Sequence, residues 1–80
     1  MPKLRVLGSY EIIGFLKKHG FFIHRQKGSH IILQCEVKGE YQTLTVPNHY
    51  ELDRGMTKGI YNQCKRYVEL DTLDEFFYTG

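Results

Sequence analysis

The chain has 80 residues, of which 41% are hydrophobic and 14% aromatic, and its formal net charge is +2. This composition is too apolar for a disordered segment and the length suffices for one small domain with a thin core. The first apolar run, Ile12 to Leu16, is interrupted by Gly14 and is too short for a signal peptide or a membrane span. We therefore expect a single domain over residues 1–80 of a cytoplasmic protein, with no membrane segment.

Charge is divided unevenly along the chain. Residues 1–66 contain all eleven Lys and Arg and five acids, a net +6, whereas residues 69–80 contain the other four acids and no base. A basic body with an acidic end suits an anionic ligand bound on one face.

The first predicted element is a helix. Ile12 and Leu16 fall on one helical stripe, Ser9 is a suitable N-cap, and Gly20 is a suitable residue to end the helix in the left-handed conformation. The pattern predicts a helix from Ser9 to His19.

Three strands are predicted next. "FFIHRQ" and "SHIILQCEV" are strand-like and flank a tight turn at Lys27-Gly28, and "YQTLTV" follows a break at Lys38-Gly39 and stops at Pro47. Together they predict an antiparallel three-stranded sheet.

Two helices complete the chain. Asp53 is a good N-cap for a helix in which Met56, Ile60 and Cys64 recur every four residues. Asp71 is the expected N-cap of a short final helix, "LDTLDEFF", with Asp74 and Glu75 in its first turn. The order α-β-β-β-α-α indicates an α+β fold with the helices on one face of the sheet.

Strand alternation separates two faces of the predicted hairpin. A two-residue loop at Lys27-Gly28 sets Gln26 opposite Ser29 and Arg25 opposite His30. The more apolar face is expected to meet the helices, and its members in this strand are Ser29, Ile31, Leu33, Cys35 and Val37. His30 then points the other way, beside Arg25 and close to Lys27.

This grouping suits chemistry on a phosphodiester. A histidine titrates near neutral pH and can move a proton, while Arg25 and Lys27 can hold a phosphate and the backbone at Gly28 can approach it closely. A base that removes the 2′-hydroxyl proton would let that oxygen attack the adjacent phosphorus, which needs no metal and is open to RNA but not DNA. A lone strand histidine is, however, more often a plain surface residue, and any catalytic role requires His30 to be exposed.

No metal or cofactor site is predicted. His24, His30 and His49 share no ligand spacing, and His19 fits a helix end. Cys35 and Cys64 form no short-spaced pair, so we expect both to be buried, reduced thiols.

Two segments carry a family resemblance. "GFFIHRQKGSHIIL", followed by "LTVPNHYELDRGMTKGIYNQ", resembles the HicA toxin family of bacterial toxin–antitoxin systems. The resemblance rests on the helix ending Lys-Lys-His-Gly-Phe, the triplet Gly28-Ser29-His30, and Val46-Pro47-x-His49 leading into a helix. It implies a small double-stranded-RNA-binding-like α-β-β-β-α domain with a short C-terminal helix.

The resemblance also implies a function. Members are messenger RNA interferases, metal-independent endoribonucleases that inhibit translation and are neutralised by a cognate HicB-type antitoxin. The family's catalytic histidine corresponds to His30, and Gly28 and Ser29 complete its triplet. His49 matches a second family histidine, which either contacts RNA or pins the loop between the third strand and the second helix.

Two other functions remain open from the sequence. One is a non-catalytic RNA-binding module that holds duplex RNA through its shape and backbone, whereas a basic track for the RNA backbone is expected of the ribonuclease itself, made of Lys17, Lys18, Lys58, Lys65 and Arg66. The other is a pure protein-interaction domain. The first predicts that replacing His30 leaves activity in cells unchanged while replacing a lysine pair weakens RNA binding, and the second predicts a partner complex of normal affinity with no binding to RNA.

Overall fold

The structure, a computed structural model, describes residues 2–79. Its elements follow in the order β1 (Lys3–Leu4), α1 (Ser9–Lys18), β2 (Phe22–Lys27), β3 (His30–Val37), β4 (Glu40–Pro47), α2 (Arg54–Cys64), α3 (Leu70–Phe77) and β5 (Tyr78–Thr79). Among the described residues, no helix combines the length and apolar character needed to cross a membrane.

The main sheet is antiparallel, three-stranded and ordered β2-β3-β4. Its inner face carries alternate apolar residues that are buried against the helices, namely Ile31, Leu33 and Cys35 of β3 and Leu44 and Val46 of β4. The prediction of an α+β fold with helices on one face is therefore confirmed. The alternation also predicts Ser29 and Val37 on this face, but both are exposed. Ser29 lies in the hairpin turn and Val37 lies at the end of β3.

One core joins the sheet to the three helices. Its fully buried side chains include Ile12 and Leu16 of α1 and Leu73 and Phe77 of α3. Phe15 of α1 stacks on Phe76 of α3 at 4.2 Å between ring centroids. Cys35 and Cys64 are buried free thiols, as predicted.

The first hairpin corrects the predicted register. Its two-residue loop is Gly28-Ser29 rather than Lys27-Gly28, so Lys27 pairs with His30 and Gln26 with Ile31. Gly28 has a φ of +59°. A glycine at positive φ in the first loop position matches a type II′ turn, which explains why the loop begins at Gly28.

The second hairpin lies where it was predicted. Lys38 and Gly39 both have positive φ, 52° and 82°, and link Val37 to its partner Glu40. Two successive left-handed residues are typical of a type I′ turn, which matches the twist of the flanking strands.

Of the three predicted N-caps, only that of α2 is confirmed. Asp53 caps α2 as expected, since its side chain accepts a hydrogen bond from the Met56 N–H at 2.8 Å. The N-cap of α1 is Gly8, and Ser9 is instead its buried first residue. The N-cap of α3 is Glu69, whose carbonyl accepts from Leu73 N–H.

The N-caps of α1 and α3 differ from the predicted ones for physical reasons. Burial of Ser9 against the rest of the fold takes it into α1, whose last helical residue is Lys18, with His19 as C-cap. In α3, burial of Leu73 and Phe77 extends the helix back to Leu70. Asp71 is therefore in the first turn instead of capping it, and Asp74 and Glu75 lie further along the helix.

A small second sheet joins the two ends of the described chain. Lys3 pairs with Thr79 and Leu4 with Tyr78, and Arg5 N–H donates to the Phe77 carbonyl at 2.8 Å. Strands of two residues are too short to show alternation, so the sequence did not predict this sheet.

Candidate active site

His30 opens β3 directly after the hairpin loop, and its side chain is exposed. It pairs with Lys27 of β2 on one side and with Pro47 of β4 on the other. Directly opposed residues project from the same face with Cβ atoms about 4.5–5.5 Å apart. His30 therefore lies on the open face of the sheet with a lysine as its cross-strand neighbour.

A second cation lies on the same face. Arg25 pairs with Ile32, the next outward-facing position of β3 after His30. The pairing shifts between Ile23 and Arg25, so His24 is the extra residue of a β-bulge. The predicted placement of Arg25 directly opposite His30 is thus wrong, and Lys27 holds that position. Both cations remain on the face of His30 because they are two residues apart.

The hairpin loop is held by hydrogen bonds at its carbonyl groups. Asn48 N–H donates to the Ser29 carbonyl at 2.6 Å, and the Gln26 side chain donates to the Gly28 carbonyl at 3.3 Å. A Cβ built on Gly28 would have no neighbour within 4 Å. The backbone at Gly28 is consequently open to an approaching anion, while the loop itself is fixed at both ends.

The main chain at His49 pins the loop between β4 and α2. Its N–H donates to the Pro47 carbonyl and its carbonyl accepts from Ser9 N–H, each at 3.0 Å. Its side chain is exposed and lines an open groove beside α1. The backbone of His49 therefore holds this loop in place, and its exposed imidazole is accessible to a ligand.

The electrostatic surroundings of His30 favour an anion. The outward-facing positions paired around it carry two cations and no carboxylate, and they are Arg25, Lys27, Ile32, Thr45 and Pro47. Proton transfer by an imidazole next to a bound phosphate is the chemistry that this arrangement permits.

The cations of the predicted basic track are not beside His30. Lys17 and Lys18 end α1, and Lys58 lies within α2. Both helices contribute buried side chains to the core on the inner face, opposite His30. Within residues 2–79, no group of three or more His, Cys, Asp or Glu side chains is arranged to hold a metal ion.

Sequence reasoning missed Asn48. Its backbone ties the β4–α2 loop to the hairpin loop, and its side-chain oxygen accepts from the Ser9 hydroxyl at 3.4 Å. The only sequence signal was its place between Pro47 and His49, because a contact between residues so distant in the chain appears only once the sheet register is known.

Comparison with known families assigns the chain. The family model described as HicA toxin of bacterial toxin-antitoxin matches residues 9–65, which contain α1, both hairpins, α2 and the candidate site residues from Arg25 to His49. Comparisons with curated proteins and with solved structures gave no match. Because the family model covers well over half of the sequence, the chain belongs to the HicA toxin family of bacterial toxin–antitoxin systems.

Proposed function

We propose that this toxin is an endoribonuclease, an mRNA interferase that inhibits translation, and that residues 1–80 act as one toxin domain in the cytoplasm. The observation that carries the proposal is the exposed His30 on the open sheet face, directly opposite Lys27 and one outward position from Arg25. Family membership supports the toxin role, and this grouping supplies a chemistry for it.

In the proposed reaction, His30 acts on the proton of a ribose 2′-hydroxyl. The 2′-oxygen forms a bond to the adjacent phosphorus as the bond from phosphorus to the 5′-oxygen breaks, and the departing oxygen takes up a proton. The products are a 2′,3′-cyclic phosphate and a 5′-hydroxyl. Lys27 and Arg25 would stabilise the negative charge that develops on the phosphoryl oxygens, with Gly28 and Ser29 shaping the loop. This scheme uses no cofactor.

The natural partner in this proposal is a HicB-type antitoxin. The family belongs to toxin–antitoxin systems, which implies an antitoxin. Since His30 is exposed and β2 is exposed along its whole length, inhibition requires a partner that covers the open face of the sheet.

The test compares wild type with His30→Ala. We expect wild type to arrest growth when induced and to cut single-stranded RNA in excess EDTA, and His30→Ala to lose about 10²- to 10⁴-fold in cleavage rate. His24→Ala is the matched control, because His24 is also an exposed histidine of this hairpin but sits in the bulge. An RNA with 2′-deoxyribose at the cut position must stay intact.

Each result has a distinct meaning. Equal activity of wild type and His30→Ala, with both folded, would remove His30 from the reaction. RNA binding without cleavage by wild type would favour the non-catalytic RNA-binding module. Loss of cleavage in EDTA that added metal restores would contradict the metal-independent scheme.

A further inference from the structure

A groove of about 780 Å³ lies next to the proposed active site. Asn48 and His49 form part of its wall, and they directly follow Pro47, the β4 partner of His30. The Asn48 N–H also bonds the Ser29 carbonyl, so the groove wall and the catalytic hairpin are in direct contact. The groove therefore begins at the end of β4, one residue beyond the strand partner of His30.

Exposed aromatic side chains line the groove. Tyr10 is 90% exposed and Tyr50 is 97% exposed, and Val6 beside them is 68% exposed. These three account for a third of the large hydrophobic side chains that the described chain exposes. Apolar side chains grouped on a surface, with polar groups at the rim, mark a binding site more often than scattered ones do.

The charge of the groove selects the part of RNA that fits. Glu11 and Glu51 line it and no Lys or Arg does. Arg5, outside the lining, lies 3.9 Å from Glu11 and offsets part of its charge, so the groove is less suited to a phosphate than the cations beside His30 are. A nucleobase is uncharged, can stack on a tyrosine ring, and offers amino groups that carboxylates and amide oxygens accept. Phosphate and base are therefore separated, with the phosphate at Lys27 and Arg25 and the base in the groove.

The backbone of the groove is fixed by contacts within the fold, whereas the rings of Tyr10 and Tyr50 project into solvent. A Cβ on Gly8 would lie 2.1 Å from the Tyr50 carbonyl oxygen, so the backbone carrying Tyr50 rests directly on the start of α1. Ser9 N–H donates a hydrogen bond to the His49 carbonyl, and Leu52 N–H donates one to the Leu7 carbonyl at 2.8 Å. Because the backbone is already in place, binding of a base orders only the exposed tyrosine side chains, which limits the entropy lost.

We propose that this groove binds one unpaired nucleobase of the RNA substrate, next to the phosphate that is cut, with Tyr10 and Tyr50 as stacking surfaces. The inference rests on the proposed ribonuclease function and names the part of the substrate that positions it. It predicts that single-stranded RNA is preferred over duplex, because a paired base cannot leave its stack at low energetic cost.

The experiment uses a short single-stranded RNA that wild type cuts at one position. Versions carrying an abasic ribose at each nucleotide beside the cut are bound to the His30→Ala protein, whose expected cleavage is slow enough for a binding measurement. We expect one abasic position to weaken binding about fivefold to 150-fold. Adding Tyr50→Ala should weaken binding of the intact RNA similarly and should abolish the effect of that abasic position.

Two variants serve as controls. Tyr50→Phe keeps the ring and should bind RNA as the parent does. Tyr41→Ala removes another exposed tyrosine, which pairs with Glu36 far from His30, and should also leave binding unchanged. Since Tyr50 is almost fully exposed, its removal leaves the core intact, which circular dichroism and thermal unfolding check.

Three outcomes would overturn the inference. If no abasic position weakens binding, or if its effect persists undiminished in Tyr50→Ala, the groove does not hold a base. If Tyr50→Ala binds and cuts RNA normally but escapes neutralisation by the antitoxin, the groove is a protein-docking surface. If wild type neither binds nor cuts any RNA, the proposed ribonuclease function fails as a whole, which is a separate result.

Discussion

Among the glycines of the described chain, Gly8 has the least room for a side chain. A methyl group there would meet the Tyr50 carbonyl at 2.1 Å, and backbone cannot move aside as a flexible side chain can. We expect Gly8→Ala to lower the free energy of unfolding by about 1–3 kcal/mol, the usual range for overpacking. Denaturant unfolding followed by circular dichroism measures the change.

Gly14 provides the matched control in the same helix. It lies in the interior of α1, is exposed, and a Cβ built on it would have no neighbour within 4 Å. Gly14→Ala should therefore raise stability by about 0.5–1 kcal/mol, because alanine is the better helix former. Opposite signs for the two substitutions are the expected result, and equal effects would show that Tyr50 does not press on Gly8.

Sequence reasoning at the residue level placed His30 on the correct face but beside the wrong partner. The face of His30 follows from Ile31, Leu33 and Cys35, the buried residues that alternate with outward-facing ones along β3. A change of pairing register by an even number of residues leaves that face unchanged. The partner of His30 depends on which glycine-containing dipeptide forms the loop, and both Lys27-Gly28 and Gly28-Ser29 are acceptable turn sequences. The choice between Arg25 and Lys27 therefore needed the structure.

Among the helices, α2 has the clearest side-chain cap. The Asp53 carboxylate accepts from Met56 N–H, and the Asp53 carbonyl accepts from both the N–H and the hydroxyl of Thr57. Asp53→Ala removes only the first of these bonds, so we expect a loss of about 1 kcal/mol in unfolding free energy. Chemical denaturation of the purified protein measures it.

Asp53→Asn is the control for the cap. It keeps a side-chain oxygen acceptor and should retain most of the stability that alanine loses. A loss of the same size in both variants would mean that the negative charge at the helix start, rather than the hydrogen bond, stabilises α2.

The main strands and all three helices were predictable as segments, and the helix caps and the two-residue strands were less so. The three main strands and α2 follow from alternation, turn residues and a cap that lie close together in the sequence. The segments of α1 and α3 were predicted, but their N-caps are Gly8 and Glu69 rather than Ser9 and Asp71, because burial of Ser9, Leu73 and Phe77 in the core is a tertiary effect that no local signal reports. The β1–β5 pairing joins residues at opposite ends of the described chain and had no local signal at all.

On the scale of the whole molecule, stability should fall in alkaline solution. The hydrogen bond that Tyr61 donates to Asp74, followed by burial, raises the pKa of Tyr61 from 10.0 to about 12. Burial raises the pKa of Cys64 from 9.0 to about 12. The folded chain keeps both protons where the unfolded chain releases them. The stabilising effect is therefore complete below about pH 9 for Cys64 and below about pH 10 for Tyr61, and both contributions are lost as pH rises toward 12.

Unfolding curves recorded between pH 7 and pH 11 test whether the free energy of unfolding falls as pH rises. Tyr61→Phe removes one of the two titrating groups, so its stability should start lower and decline less steeply above pH 10. A decline as steep as that of wild type would remove Tyr61 as a source of the pH dependence. The thiol of Cys64 should meanwhile resist alkylation in the folded protein, because it is buried and protonated at neutral pH.

The outer edge of β2 determines whether separate copies of the toxin associate through their sheets in solution. β2 is an edge strand exposed along its whole length, and a free row of backbone donors and acceptors can template pairing with another chain. The bulge at His24 interrupts that row, and the charges of Arg25 and Lys27 repel a second copy. Neutral replacements of both cations would thus invite aggregation as well as weaken phosphate binding, whereas Lys27→Arg keeps the protective charge.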